Sequence, residues 1–241
     1  MEKRFTREYL FAENMLKIKQ LQGNGDFRSS ECIEYLKEAD IVITNPPFSL
    51  FREYVAQLME YGKKFIIIGN TGAINYKEIF KYVKDNELWV GASNFNVGMH
   101  FTLPDSYTDY KYIDKNGKKI GRVSCVCWWT NIENKRRNEE LDLYKKYNEI
   151  EYPKFDNIDA INVNNYTEIP ADYDGLMGVP TTFIGHYNPT QFEIVDLINR
   201  YLVFDYFGKN EQVREKHSHS CNVNGKSTYI RLLIRRIRSL E

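Results

Sequence analysis

Residues Ala39–Phe48 read Ala-Asp-Ile-Val-Ile-Thr-Asn-Pro-Pro-Phe, a short apolar run that drives straight into a diproline. No other stretch restricts the fold as strongly. The continuous apolar residues of Ile41–Thr44 predict a parallel strand buried on both faces, and Phe65–Gly69 predicts a second. Both prolines have a fixed φ and no N–H, so the strand must stop at them in a stiff corner. Past the corner, Leu50–Tyr61 carries Phe51, Val55, Leu58 and Met59 on one helical face, with Ser49 as the expected N-cap. Strand, rigid polar loop and helix is the arrangement in which open α/β sheets hold ligands at the carboxyl ends of their strands. The plainer reading is that Asn-Pro-Pro only punctuates a strand. The buried-type strand before it and the aromatic after it favour a functional corner.

The residue types at this corner suit methylation of an aromatic exocyclic amine, such as adenine N6. The lone pair of that nitrogen is delocalised into the ring, which makes it a poor nucleophile. Acceptors aimed at both N–H bonds draw it toward tetrahedral geometry and stabilise the charge that develops as a methyl group arrives. Asn45 can supply one acceptor through its side-chain oxygen, and Pro46 the other through its carbonyl. Pro47 stiffens the turn, and Phe48 offers a flat face to a base extruded from a duplex. A general base is unnecessary, because the proton becomes acidic once the methyl group is in place.

Further segments carry a resemblance to a known family. They are Gly23-Asn24-Gly25-Asp26-Phe27-Arg28-Ser29, Ala39 through Tyr54, Lys64 through Asn70, and Trp128-Trp129-Thr130-Asn131. Tyr152 through Asn157 with Asp159-Ala160-Ile161, Met177-Gly178-Val179-Pro180, Asn188-Pro189 followed by Gln191–Ile194, and Val223-Asn224-Gly225-Lys226 complete the set. In this order they resemble the EcoRI-type adenine-specific DNA methyltransferases. Asn-Pro-Pro-Phe alone marks amino-methyltransferases broadly; the ordered set is far more specific. The resemblance implies a Rossmann-like α/β methyltransferase sheet, represented by its second half with the antiparallel hairpin. It also implies S-adenosyl-L-methionine as methyl donor, double-stranded DNA as substrate, a restriction-modification setting and a cytoplasmic location. Gly25, Asp26 and Phe27 resemble the loop in which a carboxylate accepts from the cofactor's adenine amine and an aromatic packs on its ring. Trp128–Asn131 correspond to a segment near the target-base pocket.

Members of that family carry an upstream region with the first strands of the sheet and an acidic, Pro-containing loop for the methionine end of the cofactor. Nothing in Met1–Gln22 matches it. The expectation is therefore a partial catalytic domain over 1–134 and a C-terminal α+β extension over 135–241 for target-DNA recognition. The strand of Asn45 would be left with an open hydrophobic edge. Either a separate chain supplies the missing strands, or the chain is a non-catalytic DNA- or partner-binding remnant. A methyltransferase acting on another planar amine or amide, such as a protein glutamine, is the remaining alternative.

Composition narrows the classes. Lys+Arg and Asp+Glu are both 33 in 241 residues, so any grip on DNA must be local rather than global. No long apolar segment predicts a membrane span, and residues 1–20 carry charges throughout, unlike a secretory signal. Those residues read as a helix or frayed leader. Ser29 or Ser30 is expected to cap a helix through Lys37, with Cys32, Ile33 and Leu36 inward. Asn75 with Glu78 predicts a capping box for a helix to Asp85, and Leu88–Val90, Met99–Leu103 and Val123–Trp129 predict strands. Asp105–Gly121 reads as a polar linker with an Asn116-Gly117 turn. Cys125-Val126-Cys127 reads as strand packing, and His217-Ser218-His219-Ser220-Cys221 as a loop rather than a metal site. Lys135-Arg136-Arg137 reads as either a phosphate contact or a solvated helix start. Arg231, Arg235, Arg236 and Arg238 form a stripe read as a charged edge or, less favoured, a phosphate contact.

Overall fold

The computed structural model describes residues 18–93, 95–198 and 221–237. The chain divides into two compact units, Met1–Asp40 and Ile41–Glu241. The expected N-terminal leader falls largely, and His217–Ser220 and Arg238 wholly, outside the described residues.

In the first unit, helix α1 (Ser30–Glu38) starts where the sequence places it. The Ser29 hydroxyl accepts from the Cys32 N–H at 3.3 Å. Of the three residues expected to face inward, only Leu36 is buried. The Glu31 carboxylate also accepts from the N–H groups of Gln22 (2.9 Å) and Gly23 (3.0 Å), which ties the preceding loop to the first helical turn.

The second unit begins with β1 (Ile41–Thr44), β2 (Lys64–Asn70), β3 (Trp89–Val90), β4 (Met99–Thr102), β5 (Tyr112–Ile113), β6 (Lys119–Val123) and β7 (Val126–Thr130). Helix α2 (Phe51–Glu60) follows β1, and α3 (Lys77–Lys84) follows β2. The main sheet has the order β1-β2-β7-β3, with β1 parallel to β2 and β7 antiparallel to both its neighbours. This is a mixed α/β arrangement, as expected.

Register sets the two faces of this sheet. Val42 and Thr44 pair with Phe65 and Ile67, and Ile67 with Trp129. Helix α2 lies over this face, with Phe51 6.2 Å from the Trp129 ring. The approach is close because residue 69 has no side chain. A Cβ there would lie 2.4 Å from Phe51 Cε2 and 2.7 Å from Trp129 Cδ1. The opposite face of β1 is not covered as a doubly buried strand would be. Ile41 and Ile43 are 53% and 69% exposed, because β1 is the edge strand.

Several local expectations change. Ser49 sits in a 3-10 turn (Phe48–Leu50), so α2 starts at Phe51 without a side-chain cap. The capping box is likewise absent: α3 has Tyr76 at its N-cap position, because Asn75 belongs to the preceding 3-10 turn. Cys125 stands outside β7 at φ +58, so its thiol is exposed while Cys127 is buried. Desolvation pushes the Cys127 thiol up to about 12. The segment read as a polar linker holds β5 and most of β6, which with β4 form a three-stranded antiparallel sheet, order β4-β6-β5. Its Asn116-Gly117 turn is where expected, with Gly117 at φ +76 and Asp114 Oδ1 accepting from the Asn116 and Lys118 N–H groups at 2.9 and 2.8 Å.

The remainder carries β8 (Ala160–Asn162), β9 (Leu176–Pro180), β10 (Phe192–Ile198), β11 (Asn222–Val223), β12 (Lys226–Ser227) and β13 (Arg231–Arg236). The expected α+β extension shows strands and 3-10 turns but no α-helix among its described residues. Its sheet has the order β10-β13-β9-β8, so β13 is central and its arginines form no charged edge. Arg231 is buried and donates through Nε to Asn162 Oδ1 at 3.1 Å. Arg235 lies 3.7 Å from Glu193, and Arg236 donates to the carbonyl of Ala171. The Asp156 carboxylate accepts from the N–H groups of Asn224 and Gly225 at 2.8 and 2.9 Å, holding the β11–β12 turn. Among the described residues, no helix is long and apolar enough to cross a membrane, and no group of His, Cys, Asp or Glu is arranged to hold a metal.

The contact at Gly69 gives a direct test. Gly69→Ala should lower unfolding free energy by about 1–3 kcal/mol through overpacking, measured by urea denaturation. Unchanged stability would show that α2 does not depend on this close approach.

Candidate active site at the Asn-Pro-Pro-Phe corner

The corner sits at the carboxyl end of β1, one residue past Thr44. Asn45 is exposed, Pro46 is buried and Phe48 is 42% exposed. The two proline carbonyls differ. That of Pro47 accepts from the Leu50 N–H at 3.0 Å and is consumed by the 3-10 turn. The carbonyl of Pro46 and the side chain of Asn45 have no hydrogen-bond partner among the described residues. The corner thus holds two uncommitted oxygen acceptors on adjacent residues, beside a partly exposed aromatic ring. Free acceptors cost stability unless solvent or a ligand satisfies them.

The strands next to β1 are braced along their length. Trp129 Nε1 donates to the Asn70 carbonyl at 3.2 Å, and Thr130 Oγ1 to the Phe65 carbonyl at 2.6 Å. Asn131 accepts from Phe65 N–H at 2.9 Å and donates to the Lys63 carbonyl at 2.8 Å. In this structure Trp129, Thr130 and Asn131 pin β7 to β2, a role the sequence did not disclose.

Gly25, Asp26 and Phe27 belong to the first unit. Gly25 has φ +77, a left-handed conformation that favours glycine. Arg28 embraces Asp26: its N–H and Nε lie 2.9 and 3.0 Å from Oδ1, and one terminal nitrogen 2.8 Å from Oδ2. The Arg28 hydrogen bonds hold the Asp26 carboxyl down to about 2. Three of roughly four acceptor positions of the carboxylate are filled, which leaves one on Oδ2 for another donor. Phe27 is half-buried, with the Arg28 guanidinium 5.4 Å from its ring centroid.

The basic run Lys135-Arg136-Arg137 opens a 3-10 turn rather than a solvated α-helix, with Lys135 exposed and Arg137 buried. Arg137 is buried, 4.1 Å from the centroid of the Trp89 ring, and donates to Asn86 Oδ1 at 3.1 Å. Arg136 donates to the carbonyls of Gly185 and Ala92 at 2.9 and 3.2 Å. Both arginines tie distant loops together. A cavity of about 10 Å³ lined by Trp89, Asn134, Arg137 and Tyr187 lies there. It has room for about one water and none for a nucleobase.

Residues 6–237 match the family described as Adenine-specific methyltransferase EcoRI. The chain belongs to that family. It is 44% identical over 225 residues to Type II methyltransferase M.EcoRI of Escherichia coli, covering 91% of this chain and 64% of that protein. It is 42% identical over 237 residues to Type II methyltransferase M.MgeORF184P of Mycoplasma genitalium, covering 95% and 74%. With Type II methyltransferase M.MpnI of Mycoplasma pneumoniae the identity is 41% over 228 residues, covering 91% and 71%. This EcoRI-family chain therefore spans about two thirds to three quarters of the length of these relatives. No solved structure matches it.

The Asp26–Arg28 contact is testable by carbon-detected NMR titration of the Asp26 carboxyl. A depressed folded value means the interaction is complete above the ordinary 3.8 and lost as pH falls toward about 2. Wild type should titrate near 2, and Arg28→Ala close to 3.8. Equal midpoints would show that Arg28 does not set the charge of Asp26.

Proposed function

We propose that this chain serves S-adenosyl-L-methionine-dependent methylation of adenine N6 in double-stranded DNA, within a restriction-modification system. The observation that carries the reading is the pair of uncommitted acceptors at Asn45 Oδ1 and the Pro46 carbonyl. The family membership and the names of the relatives support DNA as the substrate.

In this reading the adenine leaves the helix stack and its ring lies against Phe48. Asn45 and Pro46 each accept one N–H of the amine, and Pro47, locked by its own bond to Leu50, keeps the Pro46 carbonyl aimed. Both acceptors act more strongly as positive charge grows on the nitrogen, so they favour the transition state over the ground state. S-adenosyl-L-methionine, when bound, supplies an electrophilic methyl group. Gly25, Asp26 and Phe27 hold its adenine end, since the ionised Asp26 keeps one acceptor position on Oδ2. The core is read as the second half of a Rossmann-like methyltransferase sheet, and the four-stranded sheet beyond residue 135 as part of the target-recognition region.

One observation favours a refinement. Among the described residues β1 has no strand on its outer edge, and Ile41 and Ile43 are exposed, which suits a further strand from another polypeptide segment. Activity then requires that strand, as in a split enzyme. Co-expression with a segment of that kind should raise solubility and cofactor affinity; if neither changes, the refinement fails.

Asn45→Ala should reduce methyl incorporation into DNA by at least about a hundredfold while leaving S-adenosyl-L-methionine affinity nearly unchanged. Labelled-methyl transfer and calorimetry read the two quantities. Near-normal turnover would remove Asn45 from the chemistry.

A further inference from the structure

We propose that the three-stranded sheet of β4, β6 and β5 is an arm that grips the DNA backbone beside the Asn-Pro-Pro-Phe corner. This rests on the methyltransferase reading and adds to it the surface that holds the substrate.

Topology places the arm. Strands β1 and β2 run in parallel, so their carboxyl ends share one edge of the main sheet. The corner lies at that edge. Strand β7 runs antiparallel to β2, with Val126 opposite Asn70, so β7 starts at the same edge. Strand β3 is antiparallel to β7 and therefore ends there, with Gly91 N–H donating to the Trp128 carbonyl at 2.8 Å. The chain leaves the main sheet after β3 and re-enters it at β7, and everything between is the arm. The arm thus leaves and rejoins the sheet at the edge that carries the corner. The Cys125 carbonyl at its base accepts from the Thr71 N–H at 2.9 Å, which fastens the arm to the loop after β2.

Chemistry gives its partner. Residues 97–123 contain Lys111, Lys115, Lys118, Lys119 and Arg122 against Asp105, Asp109 and Asp114, within a chain of zero net charge. The Asp114 carboxylate is occupied by backbone N–H groups of the turn. The ammonium groups of Lys111, Lys115 and Lys118 are exposed and make no hydrogen bond or ion pair with any described residue. Several cations elsewhere have carboxylate partners: Lys37 with Glu34 and Lys81 with Asp85 at 2.8–2.9 Å, Lys154 with Asp159 at 2.8 Å; the arm brings three lysines without one into a single stretch, residues 111–118. On the same segment stand Tyr107, Tyr110 and Tyr112, exposed by 54%, 39% and 47%, with Lys119 5.4 Å from the Tyr110 ring and His100 6.2 Å from that of Tyr112. Lysines without a hydrogen-bonded or ion-pair partner, next to exposed rings, suit a polyanion that also presents flat bases and sugars. A protein partner would be expected to meet carboxylates with these lysines and to cover the rings, and it is the alternative that the experiment excludes.

The experiment compares wild type with Lys111→Ala/Lys115→Ala/Lys118→Ala and with Tyr107→Ala/Tyr110→Ala/Tyr112→Ala. Fluorescence anisotropy with a labelled duplex gives the dissociation constant from low to moderate salt; thermal melting and S-adenosyl-L-methionine titration check integrity. The lysine variant should bind the duplex about tenfold or more weakly, and log affinity should depend on log salt with a slope shallower by about 2–3. The tyrosine variant should weaken binding with the salt slope retained. Cofactor affinity should be unchanged in both. If wild type binds DNA and the lysine variant matches its affinity and slope, the arm is not the grip, and the methyltransferase reading survives. If wild type does not bind DNA, the arm's assignment falls; if it also fails to methylate DNA when co-expressed with the strand-supplying segment, the methyltransferase reading falls with it.

Discussion

The missing side chain at residue 69 sets how closely helix α2 approaches the main sheet. Phe51 and Trp129 fill the space a Cβ would occupy, and Phe51 is the first residue of α2. The corner between β1 and α2 is therefore anchored at both ends: at Thr44 by the ladder to β2, and at Phe51 by this packing. Only Asn45 to Leu50 are left to span the gap. Two prolines and a 3-10 turn remove most of their freedom, and the Pro47 carbonyl is tied to Leu50. Among the described residues, the Asn45 side-chain amide and the Pro46 carbonyl take no part in this bonding. Rigid packing below and unsatisfied acceptors above are two sides of one arrangement, in which stability is given up at the surface and preserved underneath.

Charge is divided in a comparable way. Arginines that read in sequence as surface features act as internal ties: Arg137 against Trp89, Arg136 across two loop carbonyls, Arg231 against Asn162. A planar guanidinium with several donors suits such joints, because it can satisfy carbonyls and amides that would otherwise be buried alone. Lysines on the β4–β6–β5 arm keep their charge for solvent. A zero net charge thus conceals an uneven distribution, which is what a protein needs if it is to hold a polyanion in one place and nowhere else.

Much of the fold before residue 135 was legible in the sequence. Ile41–Thr44 is a strand with those bounds, Phe65–Gly69 lies within β2, and Ser29 caps α1, because each rests on local pattern or on one side chain reaching one N–H. The corner was legible for the same reason, since proline acts on its own backbone. Errors arose where the outcome depended on the neighbours. Ile41 and Ile43 look like a doubly buried strand but lie on an edge, which periodicity cannot reveal. Arg231–Arg236 look like a charged edge but lie in the centre of a sheet, because Asn162, Glu193 and Ala171 receive those side chains from far along the chain. Asp105–Gly121 looks like a linker because its strands are short, with β5 only two residues long, and are set among polar and turn residues. The joint between Asp156 and the Asn224-Gly225 turn was visible only as two separate segments of family likeness.

The proposed chemistry depends on the two corner oxygens that have no partner among the described residues. A crystal structure of the protein with S-adenosylhomocysteine and an unmethylated target duplex would examine them directly. The account predicts one adenine turned out of the helix, its N6 within about 3 Å of both Asn45 Oδ1 and the Pro46 carbonyl, with Phe48 against its ring. An adenine still stacked in the duplex at that site, or an extruded base whose amine meets other residues, would contradict it.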